Sequence, residues 1–210
     1  MALTHLFRRP ARLSRAFTLI ELLVVTGIIV IISTIILANN NRFGGVVLLE
    51  NLAYDVALSI RQAQVYGISV ARFQSNTFSA GYGVHFDLSS PDTYVLFADA
   101  IQANGLYDCP QPGTNNCELV ETTTLSTGYN IYNLCETPSS GVETCGISKI
   151  DVVFKRPEPD AWISASGVSC INNNGTCGES ARVLLQSPHG DHMSVVIYAN
   201  GQISVQKVTP

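Results

Sequence analysis

Hydrophobic and polar positions divide the chain into three stretches. Residues 17–38 are almost wholly apolar and carry one charge, Glu21. As a helix these 22 residues extend about 33 Å, enough to cross the hydrocarbon core of a bilayer. Residues 39–45, rich in Asn and Gly, are weak helix formers, so the helix is expected to fray or bend there. The helical period then resumes. Leu49, Leu52, Ala53, Val56, Ile60 and Ala63 recur at three- and four-residue steps, with Glu50, Asp55, Arg61 and Gln62 on the other sides. Residues 39–67 therefore read as a soluble continuation of the apolar helix, its stripe packed on a sheet and Gly67 as its stop.

From residue 68 the period changes to two. Residues 68–73 read as a strand, and 82–87 and 93–98 as a hairpin around the Ser89-Ser90-Pro91-Asp92 turn. Residues 118–125 and 129–134 give two more strands, with one Cys-bearing loop before them and another after. Strands follow at 150–154 and 181–185. Residues 193–199 and 202–206 form a closing hairpin around Asn200-Gly201, read as a tight two-residue turn. Trp162 is expected in the core or at the rim of a loop. Strands with no helical pattern between them predict antiparallel sheets. The fold class is α+β: a long N-terminal helix, half transmembrane and half amphipathic, packed on the β-rich domain of residues 68–210.

Charge orients this plan. Residues 1–16 contain Arg8, Arg9, Arg12 and Arg15 and no acid, which keeps the N-terminus cytoplasmic and sends the bulk of the chain outward. Without that leader the chain loses four of twelve Lys and Arg and none of sixteen acids, so its formal charge moves from −4 to −8. Such acidity disfavours nucleic acid as a partner. The six cysteines all follow the helix and fit an oxidising compartment. Six allow fifteen pairings, which sequence alone leaves open. Spacing sets Cys109 with Cys117, Cys135 with Cys145 and Cys170 with Cys177 as three close pairs, each worth about 2.5 kcal/mol in the chain-entropy account.

Glu21 is the residue that asks for a partner, because a carboxylate in an apolar span is costly unless paired or protonated. No Lys, Arg or His lies within residues 17–38. Cutting the chain before Phe17 would create an amine one helical turn from Glu21. The basic leader, the small Ala16, Phe17-Thr18-Leu19-Ile20-Glu21 and the apolar helix together resemble the class III signal of type IV prepilins and pseudopilins.

That resemblance implies a prepilin peptidase that cuts between Ala16 and Phe17 and N-methylates Phe17. It implies an assembly role for Glu21, paired with the terminal amine of a neighbouring subunit. It also implies a place in the bacterial inner membrane, with the domain in the periplasm, before entry into a filament. The partners would be the peptidase and other pilin or pseudopilin subunits. The second helical half, GYGVHFD followed by YVLFADA, and the ANGQISVQ hairpin are similar to H-type minor pseudopilins of type II secretion and related minor pilins. The sequence departs from the family in two places. Ala16 stands where Gly is usual, and the helix lacks the usual mid-helix Pro, leaving Gly27 as its soft point.

Catalytic chemistry has no foothold in the sequence. There is no nucleophile elbow, phosphate-binding Gly loop or Cys-x-x-Cys motif. His189-Gly190-Asp191-His192 reads as a polar turn rather than a metal site. No cofactor is expected, and the chain reads as a filament subunit rather than an enzyme. A filament-tip binding module and an uncleaved membrane-anchored domain are the other functions compatible with these residues.

Overall fold

The computed structural model of this chain describes residues 17–69, 72–73, 80–110, 116–171 and 177–208, with the side chains of 38–43 excepted. Helix α1 runs from Leu19–Ile68 and is continuous across residues 39–45, where fraying was expected. A helix already nucleated propagates through a few poor formers at about 0.5–1 kcal/mol each, less than the cost of restarting it. The chain divides into two compact units, Met1–Asn41 and Arg42–Pro210, and α1 contributes to both.

Among the described residues the second unit adds ten strands to its part of α1: β1 Gly81–Asp87, β2 Thr93–Asp99, β3 Leu119–Thr124, β4 Asn130–Thr137, β5 Thr144–Cys145, β6 Lys149–Phe154, β7 Ala161–Ala165, β8 Ser180–Gln186, β9 His192–Tyr198 and β10 Ile203–Val208. They form two antiparallel five-stranded sheets, ordered β3-β2-β1-β6-β7 and β10-β9-β8-β4-β5. Together with the helix this is the expected α+β class. Leu49, Leu52, Ala53, Val56, Ile60 and Ala63, the helical stripe, are all buried in one core with Val84, Phe86, Leu96, Phe154, Leu134 and Val183 from the two sheets. Each large side chain fully buried there contributes about 1.5–3 kcal/mol.

Polar contacts fix how the helix lies on this core. Tyr129 Oη donates to Gly45 O (3.1 Å), and the Ser59 and Tyr94 hydroxyls share a 2.9 Å bond. Near the other end, buried Gln64 donates through Nε2 to Pro159 O (2.9 Å) and Gly201 O (3.1 Å). Gly67 is one residue short of the helix end, and its role is close approach. A Cβ there would sit 2.2 Å from Phe154 O.

Several expectations need correction. Ile68 is the last residue of α1 and Ser69 a turn, so no strand starts at 68; residues 70–71 lie outside the described residues. Residues 118–125 and 129–134 do yield strands, but β3 and β4 part into different sheets, and Cys135 lies inside β4 rather than in the loop after it. Trp162 belongs to β7, pairs across from Val153, and is 41% exposed rather than in the core. The closing turn has three residues, not two. Gly201 N donates to Tyr198 O, Tyr198 N donates to Gln202 O, and Gly201 takes φ 79°, the left-handed conformation that ends a type I turn with a bulge.

Candidate functional site

At the N-terminus of α1, Thr18 precedes the first helical residue. Its carbonyl accepts Leu22 N (3.2 Å), and its Oγ1 accepts Glu21 N (3.3 Å). Thr18 is thus the N-cap, and Glu21, three residues on, occupies the carboxylate position of a Thr-x-x-Glu capping pattern. An anion in this first turn also faces the positive end of the helix dipole. Sequence reasoning treated Glu21 only as a charge wanting a partner and missed this local role, although Thr-x-x-Glu was there to be read. Phe17 is 76% exposed, Glu21 is exposed, and no ion pair reaches Glu21 among the described residues. Ala16 and the leader lie outside the described residues.

Along Leu19–Leu37 no residue is buried. The hydroxyls of Thr26 and Thr34 fold back onto Leu22, Leu23 and Val30 carbonyls. That leaves an outward surface suited to an apolar surrounding, as a membrane segment requires. This one apolar N-terminal helix and a disulfide-bonded domain fit a membrane-anchored or secreted extracytoplasmic protein. Farther along α1, Tyr54, Leu58 and Arg61 border a cleft of about 360 Å³ closed on one side by Ile203 of β10.

All six cysteines are paired: Cys109 with Cys117, Cys135 with Cys145 and Cys170 with Cys177. These are the three local pairs that spacing suggested among fifteen. Cys135 stands directly opposite Cys145 in the sheet, so that bond creates the two-residue strand β5, which has too little sequence to be read as a strand.

A second polar constellation lies on the face of the first sheet that turns away from α1. His85 Nδ1 lies 2.7 Å from Asp151 Oδ1, which also accepts Tyr107 N at 3.2 Å. Lys149 Nζ meets Asp87 Oδ2 at 3.1 Å. Burial pushes the Asp87 carboxyl up, but the Ser89 hydrogen bonds and Lys149 outweigh it, and the group ends below its ordinary value. Burial, seconded by Glu118, raises the Tyr107 phenol. His85, Asp87, Ser90, Thr93, Tyr94 and Tyr107 border a cleft of about 210 Å³.

A carboxylate holding a His ring is the arrangement that orients a general base. Here, however, Nε2 faces Asp87 Oδ2 at 4.0 Å rather than a nucleophile. Among the described residues no group of three or more His, Cys, Asp and Glu side chains is placed to hold a metal. His189 and Asp191 lie in a polar turn, in which Ser187 Oγ accepts His189 N (3.2 Å) and Asp191 N (3.1 Å), whereas His192 is the first residue of β9. His192 rests against the Tyr132 ring, with centroids 5.0 Å apart.

No family model, curated protein or solved structure matches this chain.

Proposed function

We propose that this chain is a structural subunit, of the minor kind, of a type IV pilus-like or type II secretion pseudopilus filament. The observation that carries the reading is the sequence Phe17-Thr18-Leu19-Ile20-Glu21 at the head of a capped helix whose apolar surface is wholly exposed through Leu37. In this reading a prepilin peptidase in the bacterial inner membrane removes residues 1–16 and methylates the Phe17 amine. Glu21 has no cationic side chain within residues 17–38 and takes the amine of an adjacent subunit as its partner. Pairing in a low-dielectric helix bundle fixes axial register, because an unpaired carboxylate there is costly. The mechanism is assembly, not catalysis, and the disulfide-stapled domain forms the outside of the filament.

Intact-mass and N-terminal peptide analysis of protein recovered from membranes tests the first step. A chain beginning at N-methylated Phe17 is the expected result. A chain still carrying residues 1–16, beside a peptidase active on other substrates, would mean that Ala16 blocks cutting, and would favour a membrane-anchored domain instead. The second step is tested with Glu21→Ala, which is expected to insert and be cut normally yet fail to enter filaments. Normal incorporation of this variant would defeat the pairing mechanism.

A further inference from the structure

Residues 100–108, between β2 and β3, are fastened over the first sheet by buried carboxylates. Glu118 Oε1 accepts Ala100 N (3.0 Å) and Ile101 N (2.8 Å), and its Oε2 accepts Asp108 N (3.1 Å). Asp99 Oδ1 accepts Gly105 N at 3.2 Å. Glu118 is 0% exposed and Asp99 1%. The two carboxylates flank one ladder bond, Ala98 N donating to Glu118 O at 2.9 Å. They differ in one respect. Both Glu118 oxygens are engaged by N–H groups, whereas Asp99 Oδ2 is buried with no partner among the described residues. A proton on Glu118 would compete with an N–H donor; on Asp99 Oδ2 it displaces nothing.

We propose that Asp99 Oδ2 takes up a proton as residues 100–108 close over the first sheet, which makes this segment a pH-sensitive flap. Closure is tightest in acid and loosens as the solution becomes alkaline.

The charged surroundings support that direction. Burial is the largest influence on Asp99 and raises it. The Gly105 and Asn104 N–H groups and Lys155, just after β6, pull it down, and Asp108 adds to the rise. Burial likewise raises Glu118 against its three N–H donors, with Asp99 adding to the rise. Burial wins in both cases. An acid whose closed-state value lies above its solvated value binds a proton on closing. The stabilisation it gives is therefore complete below the solvated value and is lost as pH rises through the closed-state value. Tyr107 of the flap covers His85 and Phe97, so loosening uncovers the His85–Asp151 contact.

Amide exchange of the full chain in detergent micelles reads this directly. The Ala100, Ile101, Gly105 and Asp108 amides are compared with Val84 and Val152 in β1 and β6 after correction for intrinsic rates. Their relative protection is expected to fall about tenfold per pH unit while one proton is being released. A ratio that stays constant from about pH 4 to about pH 8 would overturn the proposal. Asp99→Asn, the isostere of the neutral acid, is expected to keep acid-level protection at every pH. A wild-type slope in that variant would remove Asp99 as the seat of the proton. Should the variant not fold, the ¹³C signal of the Asp99 carboxyl in the wild-type chain decides. A midpoint above the ordinary carboxylate range supports the flap, and one inside that range overturns it.

Discussion

The two parts of α1 solve the same problem differently. Residues 19–37 are apolar on every side and bury none of that surface against the described residues, whereas residues 46–68 are apolar along one stripe and bury all of it. The second part carries its own solvent in the form of two sheets. The first needs a surrounding supplied from outside, whether lipid or other helices. A single secondary structure thus holds two interfaces of different kinds, and substitutions should separate them cleanly.

Ile60→Ala should have the largest effect, a loss of about 2–5 kcal/mol in denaturant unfolding of the domain, because it opens a cavity in a fully buried stripe. Leu58→Ala, two residues away at 67% exposure, should stay within about 0.5 kcal/mol. Equal losses for the two would erase the distinction between the helix faces.

Ile29→Arg comes next. A charge at the centre of the apolar span costs about 2.5–3.5 kcal/mol of membrane insertion, and carbonate extraction should show the protein leaving the membrane fraction. The domain's own unfolding curve should not move; a shift would mean that residues 19–37 are part of its folding unit.

Gln64→Ala should cost less than Ile60→Ala or Ile29→Arg. It leaves the Pro159 and Gly201 carbonyls without their donor, for about 1–3 kcal/mol. Thermal melting can measure this, and an unchanged midpoint would show that water takes over both bonds.

Much of the fold was legible because it is written in local periods. The helical stripe, the β1–β2 hairpin and the β9–β10 hairpin each follow from spacings that a short window contains. What was not legible depends on contacts far apart in the chain. Strand β5 exists because Cys145 is bonded to Cys135, and β7 was hidden in the short Ala-Trp-Ile-Ser-Ala run after Pro159. Asp99, Glu118 and Asp151 look like ordinary polar positions of half-exposed strands. They are buried because residues 100–108 fold back over them, which no periodicity announces. At the candidate site the position of Glu21 was clear from sequence, and the Thr18-x-x-Glu21 spacing that announces its capping relation was equally readable there; the hydrogen bond realises it.

Gln64 also dictates an order of events. Its two acceptors lie 95 and 137 residues downstream, so the helix cannot be locked until nearly the whole chain has been delivered. A chain emerging N-terminus first exposes the Leu49-to-Ala63 stripe long before β8, β9 and β10 arrive to cover it. Such non-local topology makes folding slow and leaves apolar surface open to aggregation meanwhile. The interval between delivery of α1 and closure of the last hairpin is then the period in which this protein most needs a chaperone, or an apolar helix anchored where its neighbours are few.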